Sequence, residues 1–130
     1  DSSIKKIELG NINTTRDFTY VSDVCEAIYK IFHSKYFFGK EVNIGSNEEI
    51  SIQDLFNKIV NILKISKKIK IIKYRKRKNT SEVTRLLCDN KLIKKQTNWK
   101  PKIGLTKGLK KTALWIKKNQ LSYNSKFYNI

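Results

Sequence analysis

With 130 residues, the chain has room for one domain with a real core, or one piece of a domain, and not for two comfortable ones. Its formal charge of +17 points by itself to a polyanion, yet 24 of the 28 basic residues are lysine. Lysine, isoleucine and asparagine (24, 18 and 12 residues) dominate as they do when a genome is rich in A and T, so the charge reads as solvated surface and the four arginines become the informative cations. Cys25 and Cys88 stand alone, which excludes a metal-ligand spacing or a disulfide framework and predicts two buried thiols in a reducing compartment. His33 has no partner and reads as structural or exposed. There is no signal-peptide core and no apolar run near the ~20 residues of a membrane helix, so a cytoplasmic protein is expected. The chain starts at Asp1 and contains no methionine, the expectation for a fragment.

In chain order, Ile4 to Leu9 reads as a strand, followed by a turn-rich loop from Gly10 to Thr15. Asp17 to Val21 is a second short extended run. Asp23 with Glu26 three residues on has a capping-box pattern, and Val24, Ala27, Ile28 and Ile31 follow at helical spacing, with an end near His33 or Ser34. Glu41 to Ile44 reads as a buried strand that ends in a Gly45, Ser46, Asn47 turn. Ser51 and Asp54 then open a helix whose apolar stripe is Ile52, Leu55, Phe56, Ile59, Ile62 and Leu63. Ile69 to Ile72 is a third strand. Asp89 is expected to cap a short helix through Leu92 and Ile93 that closes at Asn98 in the left-handed position, with Pro101 preventing continuation. Thr106 opens a last helix carrying Leu109, Ala113 and Ile116. The tail 120–130 has no clear period and is unassigned. Alternating strands and helices without an internal repeat give an α/β or α+β class.

Several short patterns carry candidate chemistry. Tyr36 and Lys40 have the spacing of a tyrosine-lysine acid-base pair, but they lie in a Gly-containing connection that does not enforce one helical turn between them. The glycines at 10, 39, 45, 104 and 108 never form the close triplet that cradles a pyrophosphate, so this chain alone is not expected to hold NAD. Lys68 to Lys78, KIKIIKYRKRK, admits a nucleic-acid-binding reading through phosphate contacts and stacking on Tyr74, against a solvated basic run after a strand. The stretch TTRDFTYVSDV leaves two readings open: a surface Arg16 paired with Asp17, or an Arg16 whose planar fork grips two phosphate oxygens.

The order of four segments favours the second. LGNINTTRDFTYVSDV, VNIGSNEEISIQDL, RKRKNTSEVTRLLCDNKLIKK and NWKPKIGLTKGLKKTALWIKKN, spanning about Ile4 to Asn119, together resemble the C-terminal portion of the extended short-chain dehydrogenase/reductases, and within them the NAD-dependent nucleotide-sugar 4,6-dehydratases and epimerases. The resemblance implies an α/β fold of mixed short strands and helices, with the dinucleotide-binding Rossmann half lying outside this chain. It makes residues 1–119 the substrate-binding portion. It also implies that Arg16 and Arg77 hold the substrate diphosphate, that Glu82 accepts from the ribose hydroxyls, and that Asn47 reaches the nucleotide. Val83, Leu86 and Leu87 would anchor the last of these segments in the core. NAD or NADP, a nucleotide-sugar substrate and a homodimer are implied for the intact parent, in the synthesis of cell-surface sugars; the 130 residues alone are expected to be inactive. Lys78 replaces the family's usual proline after the second arginine, Asn98 replaces a usual glycine, and Arg75 takes Arg77's role if the alignment slips by two.

Overall fold

A computed structural model describes residues 5–75 and 82–119. Among the described residues, five short strands and four α-helices follow in the order β1 (Lys6–Leu9), β2 (Thr15–Asp17), α1 (Val21–Phe32), β3 (Glu49–Ser51), α2 (Ile52–Leu63), β4 (Lys68–Ile71), β5 (Arg85–Leu86), α3 (Lys91–Thr97) and α4 (Leu105–Lys118). β1 and β4 form a parallel ribbon in which Lys6 lies opposite Lys68 and Leu9 opposite Ile71. A second sheet has the order β3-β2-β5, with β2 antiparallel to β3 and parallel to β5. Arg16 therefore sits at the centre of this sheet, paired with Ile50 on one side and Leu86 on the other.

The α2 helix begins where its sequence signal lies. The Ser51 hydroxyl accepts from Asp54 N at 3.0 Å and donates to Asp54 Oδ2 at 2.6 Å, satisfying an end-of-helix amide, and Lys64 closes the helix in the left-handed region at φ 52°. The α3 helix closes at Asn98 with φ 53°, as expected from an amide side chain that tolerates this conformation. Its start differs by a residue: Asn90 is the N-cap, and the Asp89 carboxylate accepts from Lys91 N at 2.9 Å. The α4 helix begins at Leu105 on a Gly104 cap, and Gly108 lets it lie against the Tyr20 ring, where an added Cβ would approach Cδ2 to 3.2 Å.

Asp23 corrects the expected cap. The α1 helix starts three residues earlier than that cap implies, at Val21, with Tyr20 in the cap position. The Asp23 carboxylate is 3% exposed and accepts from Lys102 N at 3.0 Å and Ile103 N at 2.8 Å, which ties the loop before α4 to the first turn of α1. Its ordinary first-turn preference is kept, because a negative charge there complements the helix dipole. The Asp23 carbonyl meanwhile accepts from the indole Nε1 of Trp99 at 3.0 Å. Around this bond lies the core cluster Ala27, Ile93 and Trp99, with Ile31, Val42 and Ile44 packed against it.

Four expectations fail for identifiable reasons. Residues 41–44 alternate outward and inward as a strand does, but join no ladder, because no described strand lies beside them. Ile28 is 56% exposed: the inward face of α1 runs through Asp23, Ala27 and Ile31 instead. Val83, Leu86 and Leu87 are partly exposed rather than core, since their segment is held by backbone pairing to β2. Cys25 is exposed and Cys88 half-buried, so the two thiols are not both interior. Arg77, Lys78 and the tail 120–130 lie outside the described residues.

Candidate functional site

The arginine at the centre of the second sheet meets a carboxylate far away in sequence. Arg16 Nη2 lies 3.7 Å from Glu82 Oε1, with the side chains 25% and 13% exposed, and Nη1 donates to the Thr15 carbonyl at 2.6 Å. A separation of 3.7 Å leaves the guanidinium fork uncommitted to a short bidentate pair. Two of the four expected substrate-binding residues are thus neighbours. The partner of Arg16 is Glu82 and not Asp17, because consecutive side chains on a strand point to opposite faces.

On the other face, Asp17 gathers a turn. Its Oδ1 accepts from Ser46 N at 2.8 Å and from the Ser46 hydroxyl at 2.5 Å, and its Oδ2 accepts from Asn47 N at 2.8 Å and Cys88 N at 3.3 Å. Asn47 is held at φ 62°, a conformation its short amide side chain tolerates. Asn47 is therefore tethered through Asp17, on the face opposite Arg16, and the described residues show no contact between it and the Arg16–Glu82 pair. Gly45 is required beside this turn, since a Cβ there would overlap the Cβ and Sγ of Cys88. Asn90 adds a buried bond, donating Nδ2 to the Gly45 carbonyl at 2.9 Å. Burial, followed by the charges of Asp17 and Asp89, pushes the Cys88 thiol above its ordinary pKa.

The segment that carries Glu82 is fixed by backbone pairing and a side-chain clasp. Thr15 N donates to Thr84 O at 2.9 Å, β5 pairs with β2, and Arg85 crosses the sheet to reach Glu49 Oε1 from both Nε and Nη2 at 2.6 Å. The Thr15 hydroxyl donates to Glu49 Oε2 at 2.5 Å. The Arg85 hydrogen bond first, and that of Thr15 second, hold the Glu49 carboxyl below its usual value. Sequence reasoning missed Arg85, Glu49 and the organising role of Asp17. Only strand register brings Arg85 and Glu49 together, and no local spacing signals it.

Two other patterns resolve locally. The Lys40 ammonium lies 3.7 Å from the centroid of the Tyr36 ring, over its face, which is a cation–π contact and not an acid-base pair at the phenol. The KIKI of the basic run is strand β4, and Lys70 pairs with Glu8 at 2.8 Å, while residues 76–78 lie outside the described part. Gly108 faces the Tyr20 ring, and the caps of α1 and α2 are Tyr20 and Ser51. No described cluster has the side chains to hold a metal ion, and no described helix is long and apolar enough to cross a membrane.

Comparison with known proteins agrees with the fold. The family described as GDP-mannose 4,6 dehydratase matches residues 2–112. A Methanocaldococcus jannaschii protein provisionally named UDP-glucose 4-epimerase is 35% identical over 113 residues, which are 87% of this chain and 34% of that one. The UDP-N-acetyl-alpha-D-glucosaminuronate decarboxylase of Bacillus cytotoxicus is 32% identical over 110 residues, covering 83% of this chain and 34% of the relative. Among solved structures, the dTDP-glucose 4,6-dehydratase of Bacillus anthracis in complex with NAD superposes with a TM-score of 0.79 at 28% identity, over 92% of this chain and 37% of that one. The chain belongs to the nucleotide-sugar epimerase and dehydratase family of extended short-chain dehydrogenase/reductases. It spans about a third of the length of the relatives it matches.

Proposed function

We propose that this chain supplies the nucleoside-diphosphate grip of an NAD-dependent nucleotide-sugar epimerase or dehydratase. The observation that supports it best is the meeting of Arg16 and Glu82, remote in sequence, at the centre of one small sheet. Arg16 would offer its two terminal nitrogens to oxygens of the diphosphate, and Glu82 would accept from the vicinal hydroxyls of the ribose. Arg77 is assigned to the same diphosphate and Asn47 to the nucleotide by family resemblance. Residues 1–119 form the substrate-binding portion in this reading, and 120–130 are unassigned.

Such contacts lie away from the reacting sugar carbons. Their binding energy orients the sugar toward a nicotinamide held elsewhere and needs no proton transfer from Arg16 or Glu82. NAD or NADP, a homodimeric assembly, a cytoplasmic setting and a role in polysaccharide biosynthesis belong to the intact parent in the same reading, whether the overall reaction is a lyase or an isomerase step. The 130 residues alone carry no turnover.

Calorimetric titration with UDP, GDP and UDP-N-acetylglucosamine, beside a short single-stranded oligonucleotide at two salt concentrations, tests the reading. Saturable binding of a nucleoside diphosphate with little response to oligonucleotide is expected. Oligonucleotide binding that weakens steeply with salt and ignores Arg16→Ala would instead assign the chain to nucleic acid.

A further inference from the structure

The acidic residues of the chain stop at Asp89. All eleven lie among residues 1–89, whereas residues 90–130 carry eleven lysines and no acidic side chain. A general lysine bias accounts for the lysines and not for the missing acids, so this part of the chain has a charge character of its own.

Helix α4 displays that character on one face. Leu105, Gly108, Leu109 and Thr112 turn inward and line a small cavity with Tyr20 and Leu55. At 3.6 residues per turn, Leu114 lies on the opposite side, with Lys107, Lys110, Lys117 and Lys118 all within about 60° of it around the axis. Leu114 is 69% exposed, the four lysines are exposed, and Trp115, 54% exposed, borders the same face. Helix stability does not account for this arrangement. Lys107 stands in the first turn, where the dipole favours a negative charge, and that turn has no acidic residue. Lys107 and Lys110, three residues apart, repel. Among the described residues, none of the four lysines forms an ion pair.

Lysines around an exposed leucine, with an indole at the border, match the surface of an anionic bilayer. The ammonium groups reach the headgroup phosphates while their stems lie along apolar surface, and leucine and tryptophan suit the boundary below. A nucleic acid would use the charge but set Leu114 against phosphate, and it is gripped in a groove with stacking aromatics, not on the outside of a helix. We propose that the outer face of α4 docks peripherally on an anionic lipid surface, with the helix lying along the bilayer and crossing nothing. The surface is independent of the diphosphate reading, because none of its residues belongs to the Arg16 site.

Trp115 reports on this contact, because Trp99, the other tryptophan, is already buried. Indole emission and co-sedimentation of the 130-residue chain are followed with vesicles of phosphatidylcholine alone, with vesicles containing about one third phosphatidylglycerol, and with a single-stranded oligonucleotide. A blue shift and co-sedimentation with the anionic vesicles are expected, both weakened by salt, and Trp115→Phe should abolish the shift. Lys107→Gln, Lys110→Gln, Lys117→Gln and Lys118→Gln combined should lower vesicle affinity about tenfold or more. The same change at exposed Lys5, Lys6, Lys35 and Lys68, which removes equal charge elsewhere, should lower it about threefold or less. The proposal is overturned by absence of binding to the anionic vesicles, by equal binding to the two kinds of vesicle, or by equal losses from the two lysine sets. It is also overturned if the oligonucleotide binds as tightly as the anionic vesicles through the same four lysines, which would assign the face to nucleic acid.

Discussion

Arg16 and Asp17 are adjacent in sequence and belong to opposite faces of β2, one aimed at Glu82 and the other at the turn of Ser46 and Asn47. The carboxylate is the structural member of the pair. Asp17→Ala would leave the amides of Ser46, Asn47 and Cys88 without their acceptor, and unmet polar groups of this kind cost about 1–3 kcal/mol each where they are screened from water. A loss of about 2–3 kcal/mol in urea unfolding is expected, while a variant within 0.5 kcal/mol of the parent, roughly the range of an ordinary surface change, would deny Asp17 this role. Cys88, with its thiol pKa raised, should label more slowly than exposed Cys25 at mildly alkaline pH in the isolated chain. Equal rates for the two thiols would contradict the packing around Gly45. These three backbone bonds were not legible in TTRDFTYVSDV, because Ser46, Asn47 and Cys88 arrive from other segments.

At the scale of elements, local signals served where the interaction itself is local. Ser51 and Asp54 are three residues apart and make the cap they predict; Ser51→Ala should cost about 1 kcal/mol, the usual value of a lost N-cap, and an unchanged unfolding midpoint would show the cap to be idle. Asp23 has the same sequence pattern and a different outcome, since the backbone of Lys102 and Ile103 competes successfully for its carboxylate. The strand at 41–44 failed for a larger reason: alternation specifies which side chains point inward, whereas a ladder also needs a neighbour. The second sheet carries a titratable clasp. With Glu49 held below the ordinary carboxylate value by Arg85, its contribution is complete above that value and is lost as pH falls through the lowered one. Stability should therefore decline on acidification through the carboxylate range, and Arg85→Ala should show a smaller decline over the same window. An identical acid profile for the two proteins would remove the clasp from the account.

For the whole molecule, the class and family were readable from four ordered segments, although each alone was weak, and the family match over residues 2–112 agrees with that reading. The sheet register that brings Glu82 to Arg16 was not readable, because it depends on backbone pairing between strands remote in sequence. The interior is small: among the described residues, the buried apolar set is Ala27, Phe37, Ile93 and Trp99. Removing Trp99 with alanine should cost about 3–5 kcal/mol, comparable to the whole stability of a marginal domain, so cooperative unfolding is expected to vanish. A sharp transition retained by Trp99→Ala would place the stabilising contacts elsewhere. The central claim concerns what such a small unit does, and it is tested most directly by titrating UDP into the parent chain and into Arg16→Ala. Binding in the parent, weakened about 10- to 100-fold by loss of a charged hydrogen-bonding fork, is the predicted result. Equal affinity in the two proteins would contradict it.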